Sequence, residues 1–246
     1  LILVTIEYSQ NFHQILLRHS NKKKKVWWES YLRNVIPFIG VSIPGNRRLL
    51  KDWYKLNHLE NLKVEDQLQI VTEFMKGDHA EDKISGVLFM QLFLLEQPNF
   101  EIILSNIEKY FDEKYIFDWN TCDWLCVRIL TPIIESENEN CRKKIISWKD
   151  AQYLWKARSS AVGFAQAKNI MNYLSELNEI NKILIRRGER FAKTAVGWTL
   201  REISKHKQDY VINFIEKNID YFTKETISNS LKYFPKEVRN LYKNKV

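Results

Sequence analysis

Trp119 and Asp123 stand four residues apart in Trp119-Asn120-Thr121-Cys122-Asp123. In the first turns of a helix, that spacing puts an indole and a carboxylate side by side on one face. They make an unusual pair to bury together. A guanidinium follows 39 residues on, at Arg158, and a second indole another 40 beyond it, at Trp198. Spacings near 40 suggest helical-pair repeats, in which equivalent helices stack and matching positions line one continuous surface. The surface would carry an aromatic, an acid, a guanidinium and a second aromatic. A carboxylate held there can stabilise developing positive charge or orient a water, indole faces favour a cation, and an arginine grips an anion. This row is the candidate site.

Each member also has an ordinary reading. Tryptophan in a helical pattern is normally core, and Trp27, Trp53, Trp124 and Trp148 are assigned to packing. Asp123 alone could be a capping or solvated acid, and Arg158 alone a surface ion pair. No cofactor or metal chemistry competes for these residues. Cys122 and Cys126 could share a helix face, but with Cys141 they form no zinc-like set. They read as packed, reduced thiols, consistent with a reducing, cytoplasmic compartment. The histidines at 13, 19, 58, 79 and 206 show no metal-ligand spacing, and no glycine loop is built to cradle phosphate.

The elements that must position the row are helices. With 246 residues the chain can bury a substantial core unaided, and 45% apolar against 28% charged residues is an ordinary globular balance. Seven glycines and five prolines leave little turn material for a many-stranded sheet. A net charge of +8 points towards a polyanionic partner. The apolar run 1–6 lacks the length and cleavage pattern of a secretion signal, and no run reaches the roughly 20 residues that span a membrane. The chain begins at Leu1, not Met, which leaves room for a preceding piece. The first helix is expected to follow Ser9 as N-cap. Lys22 to Lys25 read as a solvated turn, or as phosphate contacts at one rim of the surface. Residues 37–48 form an ordered loop leading into a helix over 46–56. Helical periodicity then predicts helices over 64–74, 79–95 and 100–110, with the segment after Asp123 ending near Pro132. Further helices are expected over 141–148, 150–166, 209–217 and 220–241, the last two as a structural cap. Ala161-Val162-Gly163-Phe164 recurs 34 residues later as Ala195-Val196-Gly197-Trp198, each glycine letting a neighbouring helix come close. The pattern is an all-α, HEAT-like helical-repeat solenoid, a single domain over 1–246 of about six helical pairs.

These residues resemble a known family. Tyr31-Leu32-Arg33-Asn34 through Pro37-Phe38-Ile39-Gly40-Val41, then Pro44 and Arg47, looks like the N-terminal signature of the AlkD-like DNA alkylation repair proteins. Trp119 with Asp123, Trp155 with Arg158, and Gly197-Trp198 with Arg201-Glu202 match the rest, in order and over essentially the whole chain. The resemblance implies a HEAT-like solenoid with a concave basic groove that holds duplex DNA, and a monomeric, cofactor-free, monofunctional DNA glycosylase. It would release cationic N3- and N7-alkylated purines (3-methyladenine, 7-methylguanine) from duplex DNA without flipping the base into a pocket. Asp123 would be the catalytic carboxylate. Trp119 and Trp198 would lie against the lesion's deoxyribose and backbone, and Arg158 would hold the adjoining phosphate. Tyr31, Arg201 and Lys168 would be further DNA contacts. Ala157 and Ser159 flank Arg158 where the family often carries basic residues, which weakens the phosphate grip. The alternative is a non-catalytic HEAT-like module that binds branched DNA or a protein.

Overall fold

A computed structural model of the chain describes residues 2–246, with side chains from Thr5 onward, and every regular element among them is helical. Leu1, which heads the apolar run, lies outside the described residues. The chain divides into two compact units, Leu1–Ile129 and Leu130–Val246.

The first unit holds α1 (Ile2–Arg18), α2 (Lys22–Tyr31), α3 (Ile43–Leu56), α4 (Val64–Lys76), α5 (Ala80–Phe89), α6 (Phe100–Asp112) and α7 (Trp119–Leu125). Its centre is α5, in which every residue from Ala80 to Phe89 is buried. It packs on α3, α4 and α7. Alternate helices are neighbours here, α3 beside α5 and α5 beside α7, as stacked helical pairs require.

Several boundaries differ from expectation for physical reasons. Ser9 lies inside α1 and does not cap it; its hydroxyl donates back to the Ile6 carbonyl at 2.9 Å. Lys22–Lys25 is no turn but the opening of α2, capped by the Asn21 side chain, which accepts from the Lys24 N–H. Four cations there oppose the helix dipole, so the cap and the packed end of the helix must hold it. α3 begins at Ile43, ahead of the expected Asn46. Ser42 caps it, and Pro44 sits in the first turn, where its missing N–H is no loss.

The second unit holds α8 (Thr131–Glu135), α9 (Glu139–Ser147), α10 (Leu154–Ala165), α11 (Leu174–Ile185), α12 (Arg190–Ser204), α13 (Gln208–Lys217), α14 (Lys224–Ser230) and α15 (Lys236–Lys243). Again alternate helices stack, α10 on α12 and α12 on α14. Pro132 does not end its segment. It lies in the first turn of α8, directly after a π-helical turn over Cys126–Leu130, the wider geometry that absorbs such interruptions. α10 starts at Leu154, later than the expected Asp150, because Trp148–Asp150 forms a 3-10 turn. The 220–241 stretch is not one helix, since Pro235 separates α14 from α15. Thr226 and Ser230 are fully covered there, with the Ser230 hydroxyl donating to the Thr226 carbonyl. The paired glycines do allow close approach. A Cβ at Gly163 would meet Ile134 Cδ1 of α8 at 2.9 Å, and one at Gly197 would meet Asn229 of α14 at 3.1 Å.

Candidate functional site

α7 begins at Trp119. The Asp118 side chain accepts from the Thr121 N–H at 2.9 Å and caps the helix. Burial pushes the Asp118 carboxyl above its ordinary range against that bond. Trp119 and Asp123 then share one face of α7, both half-buried. The Trp119 indole packs on the cluster of Leu32, Ile36, Phe38 and Ala80 together with Trp28. Its ring meets Tyr31 edge-on, centroids 5.5 Å apart. Trp27 in turn stacks on Tyr31, 5.3 Å away with planes only 7° apart. Trp53 and Trp148 are core, as expected. Trp27 is not: it is 58% exposed.

A short loop clamped from both sides ties α2 to α5. On the α2 side, Glu29 accepts from the Phe38 N–H at 2.9 Å and Lys25 donates to the Phe38 carbonyl at 2.8 Å. The Phe38 N–H holds the Glu29 carboxyl below its ordinary range. On the α5 side, the buried Glu81 carboxylate accepts from three successive N–H groups, those of Ile39, Gly40 and Val41, at 2.9, 2.7 and 3.0 Å. Desolvation still pushes Glu81 up, with those bonds opposing it. Gly40 has φ 98°, and a Cβ there would collide with the Asn21 carbonyl oxygen, so the loop needs glycine.

The next two residues of α5 reach other neighbours. Asp82 pairs with His13 of α1 at 2.7 Å, and Lys83 donates to the Met75 carbonyl of α4 at 2.6 Å. Burial holds Lys83 below its ordinary value, with nearby Asp118 opposing. His79 joins this group, its Nδ1 3.7 Å from Asp82. The ligating atoms of His13, His79 and Asp82 all lie within 4.8 Å of one another, although the histidines have no metal-like spacing in sequence. Nothing in the sequence singles out Glu81, Asp82 and Lys83. Three charges opening a helix read as a solvated first turn, and here all three are buried.

A cavity of about 480 Å³ opens beside α3 in the same unit, lined by Pro44, Arg47, Arg48, Lys51, Trp124 and Arg128 among others. Arg128 lies over the Trp124 ring at 4.9 Å. Trp124, assigned to packing, is thus half-buried at a cationic concavity that Asp52 alone offsets.

In the second unit, Arg158 is only 4% exposed. Its guanidinium donates to the Phe191 carbonyl at 2.7 Å and the Thr194 hydroxyl at 3.1 Å, which ties α10 to α12. Trp198 is half-buried on α12, and its indole N–H makes no hydrogen bond. Arg201 lies over the Trp198 ring at 5.6 Å, donates to Asn229 at 3.2 Å and pairs with Glu202 at 2.9 Å. Lys168 is exposed in the turn after α10, its N–H bonded to Glu135 at 2.6 Å. Tyr31, Trp119 and Asp123 therefore belong to the first unit, and Arg158, Lys168, Trp198 and Arg201 to the second.

Residues 12–234 match the model of the DNA alkylation repair enzyme family. The chain belongs to that family. Among solved structures it is similar to a protein from Enterococcus faecalis described as a predicted DNA alkylation repair enzyme. The TM-score is 0.71 at 15% identity, over 88% of this chain and 97% of that one. No curated protein matches the chain. A place among the DNA alkylation repair enzymes carries a role in repair and binding to DNA. No helix among the described residues is long and apolar enough to cross a membrane.

Proposed function

We propose that this member of the DNA alkylation repair enzymes is a monofunctional DNA glycosylase, working as a monomer in the cytoplasm. It would excise cationic N3- and N7-alkylated purines, 3-methyladenine and 7-methylguanine among them, from duplex DNA without drawing the base into a pocket. The observation that carries the reading is Asp123 one turn along α7 from Trp119, on the helix against which Tyr31 is held.

An alkylated purine that already carries positive charge leaves readily, so no strong general acid is needed. The barrier lies in the oxocarbenium-like sugar. In the proposed mechanism Asp123 stabilises that charge and orients or deprotonates the attacking water. Trp119 and Trp198 face the deoxyribose and its backbone. Tyr31, Arg201 and Lys168 contact the duplex. Arg158 grips the adjoining phosphate and, through Phe191 and Thr194, sets the depth of the helix that carries Trp198.

A second reading, a non-catalytic module that binds branched DNA, draws support from the same arginine. Its guanidinium is buried and engaged with α12, which suits a structural role. Incubation with duplex DNA containing 7-methylguanine separates the two. The glycosylase liberates free 7-methylguanine and leaves an abasic site; binding without release establishes the second reading.

A further inference from the structure

We infer that α2 is a stacking platform for an unpaired nucleobase, a site that adjoins the proposed catalytic face and rests on that reading of it. Lys23, Trp27 and Tyr31 recur at every fourth position and so share one stripe of α2. The two rings on that stripe are 58% and 56% exposed and lie parallel, 5.3 Å apart. The stripe continues beyond the helix, because Tyr31 meets Trp119 at 5.5 Å and Asp123 follows one turn along α7. A cation, three aromatic rings and a carboxylate thus form one track.

Packing does not account for Trp27. No residue of α2 is buried, and an indole left mostly in water forgoes the stabilisation that covering it would bring. Nor does helix stability account for the lysines. Lys22, Lys23 and Lys24 are exposed at the positive end of the helix dipole, while Lys25 is spent on Phe38 and Glu29. A polyanion that carries flat apolar rings satisfies both features, whereas an apolar peptide would leave the cations unanswered. Aromatic rings set beside cations are the usual means of holding single-stranded nucleic acid.

The pitch of the track selects the form of DNA. Successive positions on the stripe are about 6 Å apart along the helix, against about 3.4 Å per nucleotide along one strand of a stacked duplex. Rings at that pitch cannot follow an intact stack. They fit a base that has left it, resting on Trp27, with its phosphates on Lys23 and Lys24.

The test uses the full chain and two unmodified duplexes, one fully paired and one with a single bulged 2-aminopurine. The bulged duplex should bind more tightly, on the order of tenfold, with quenching of the 2-aminopurine fluorescence. Trp27→Ala should abolish the preference and the quenching while leaving affinity for paired duplex unchanged. Trp27→Phe, which keeps a ring, should retain part of both. Equal affinity of the wild-type protein for the two duplexes overturns the proposal, as does a preference that survives Trp27→Ala. Release of 7-methylguanine, followed in the same preparations, keeps the two claims apart. Release without bulge preference removes the platform alone, and bulge preference without release removes the glycosylase alone.

Discussion

A carboxylate beside a breaking glycosidic bond acts through its charge, and Asp123→Asn removes that charge while keeping the shape. Release of 7-methylguanine should slow by roughly 10²-fold or more, the scale of one preorganised electrostatic contact. DNA affinity should hold or rise, since an acid facing phosphates opposes binding. Single-turnover release beside equilibrium binding checks both, and equally fast release by the variant would make the carboxylate structural. Arg158 asks a different question, because it is buried and holds α12. Lysine keeps a cation there but cannot span the Phe191 carbonyl and the Thr194 hydroxyl as a planar fork does. If Arg158 positions α12, Arg158→Lys lowers the melting temperature and base release together. A drop in DNA affinity with unchanged melting would leave only the phosphate contact.

Among the elements, α5 matters most, through side chains that its apolar pattern does not advertise. Glu81→Ala leaves the N–H groups of Ile39, Gly40 and Val41 without their acceptor. Thermal or denaturant unfolding should show a loss of about 3 kcal/mol or more, at about 1 to 3 kcal/mol per orphaned buried donor. Had the loop found water instead, the loss would be far smaller. The contrast with α7 shows what the sequence could and could not reveal. Trp119 and Asp123 are local: one helix and a four-residue spacing. The partners of α5 are 40 to 42 residues away for Glu81 and 69 away for Asp82, and only tertiary structure brings them together. The exposure of Trp27 escapes the sequence for a related reason. Periodicity tells which residues share a face, and nothing in it says whether that face is covered.

For the molecule as a whole, the charge of +8 is the quantity that DNA meets first. Affinity for DNA should fall steeply as salt rises, through counterion release. A titration insensitive to ionic strength would show that binding is not electrostatic. Stability carries its own pH signature at His79. Pairing with Asp82 raises its pKa above the ordinary 6.5, opposed by burial and by Lys25 and aided by Glu81. The imidazole Nδ1 stands 3.7 Å from Asp82, and the His79 backbone N–H donates to the same carboxylate at 3.3 Å. A histidine raised in the folded state contributes stability that is fully present below about 6.5 and is lost as pH rises through the folded value. The gap in melting temperature between wild type and His79→Gln should therefore be widest in mild acid and close on the alkaline side. A gap that widens with pH instead would reverse the assignment.

The clamp on residues 39–41 also determines when those three amides meet solvent. Transferred into heavy water, an irregular loop ordinarily takes up deuterium at once. Here each N–H points into one buried carboxylate on the central helix, so none can exchange until Glu81 withdraws, and then all three can. Isotope should enter Ile39, Gly40 and Val41 together, in a single step of three mass units, at the slow rate of the N-terminal turn of α5.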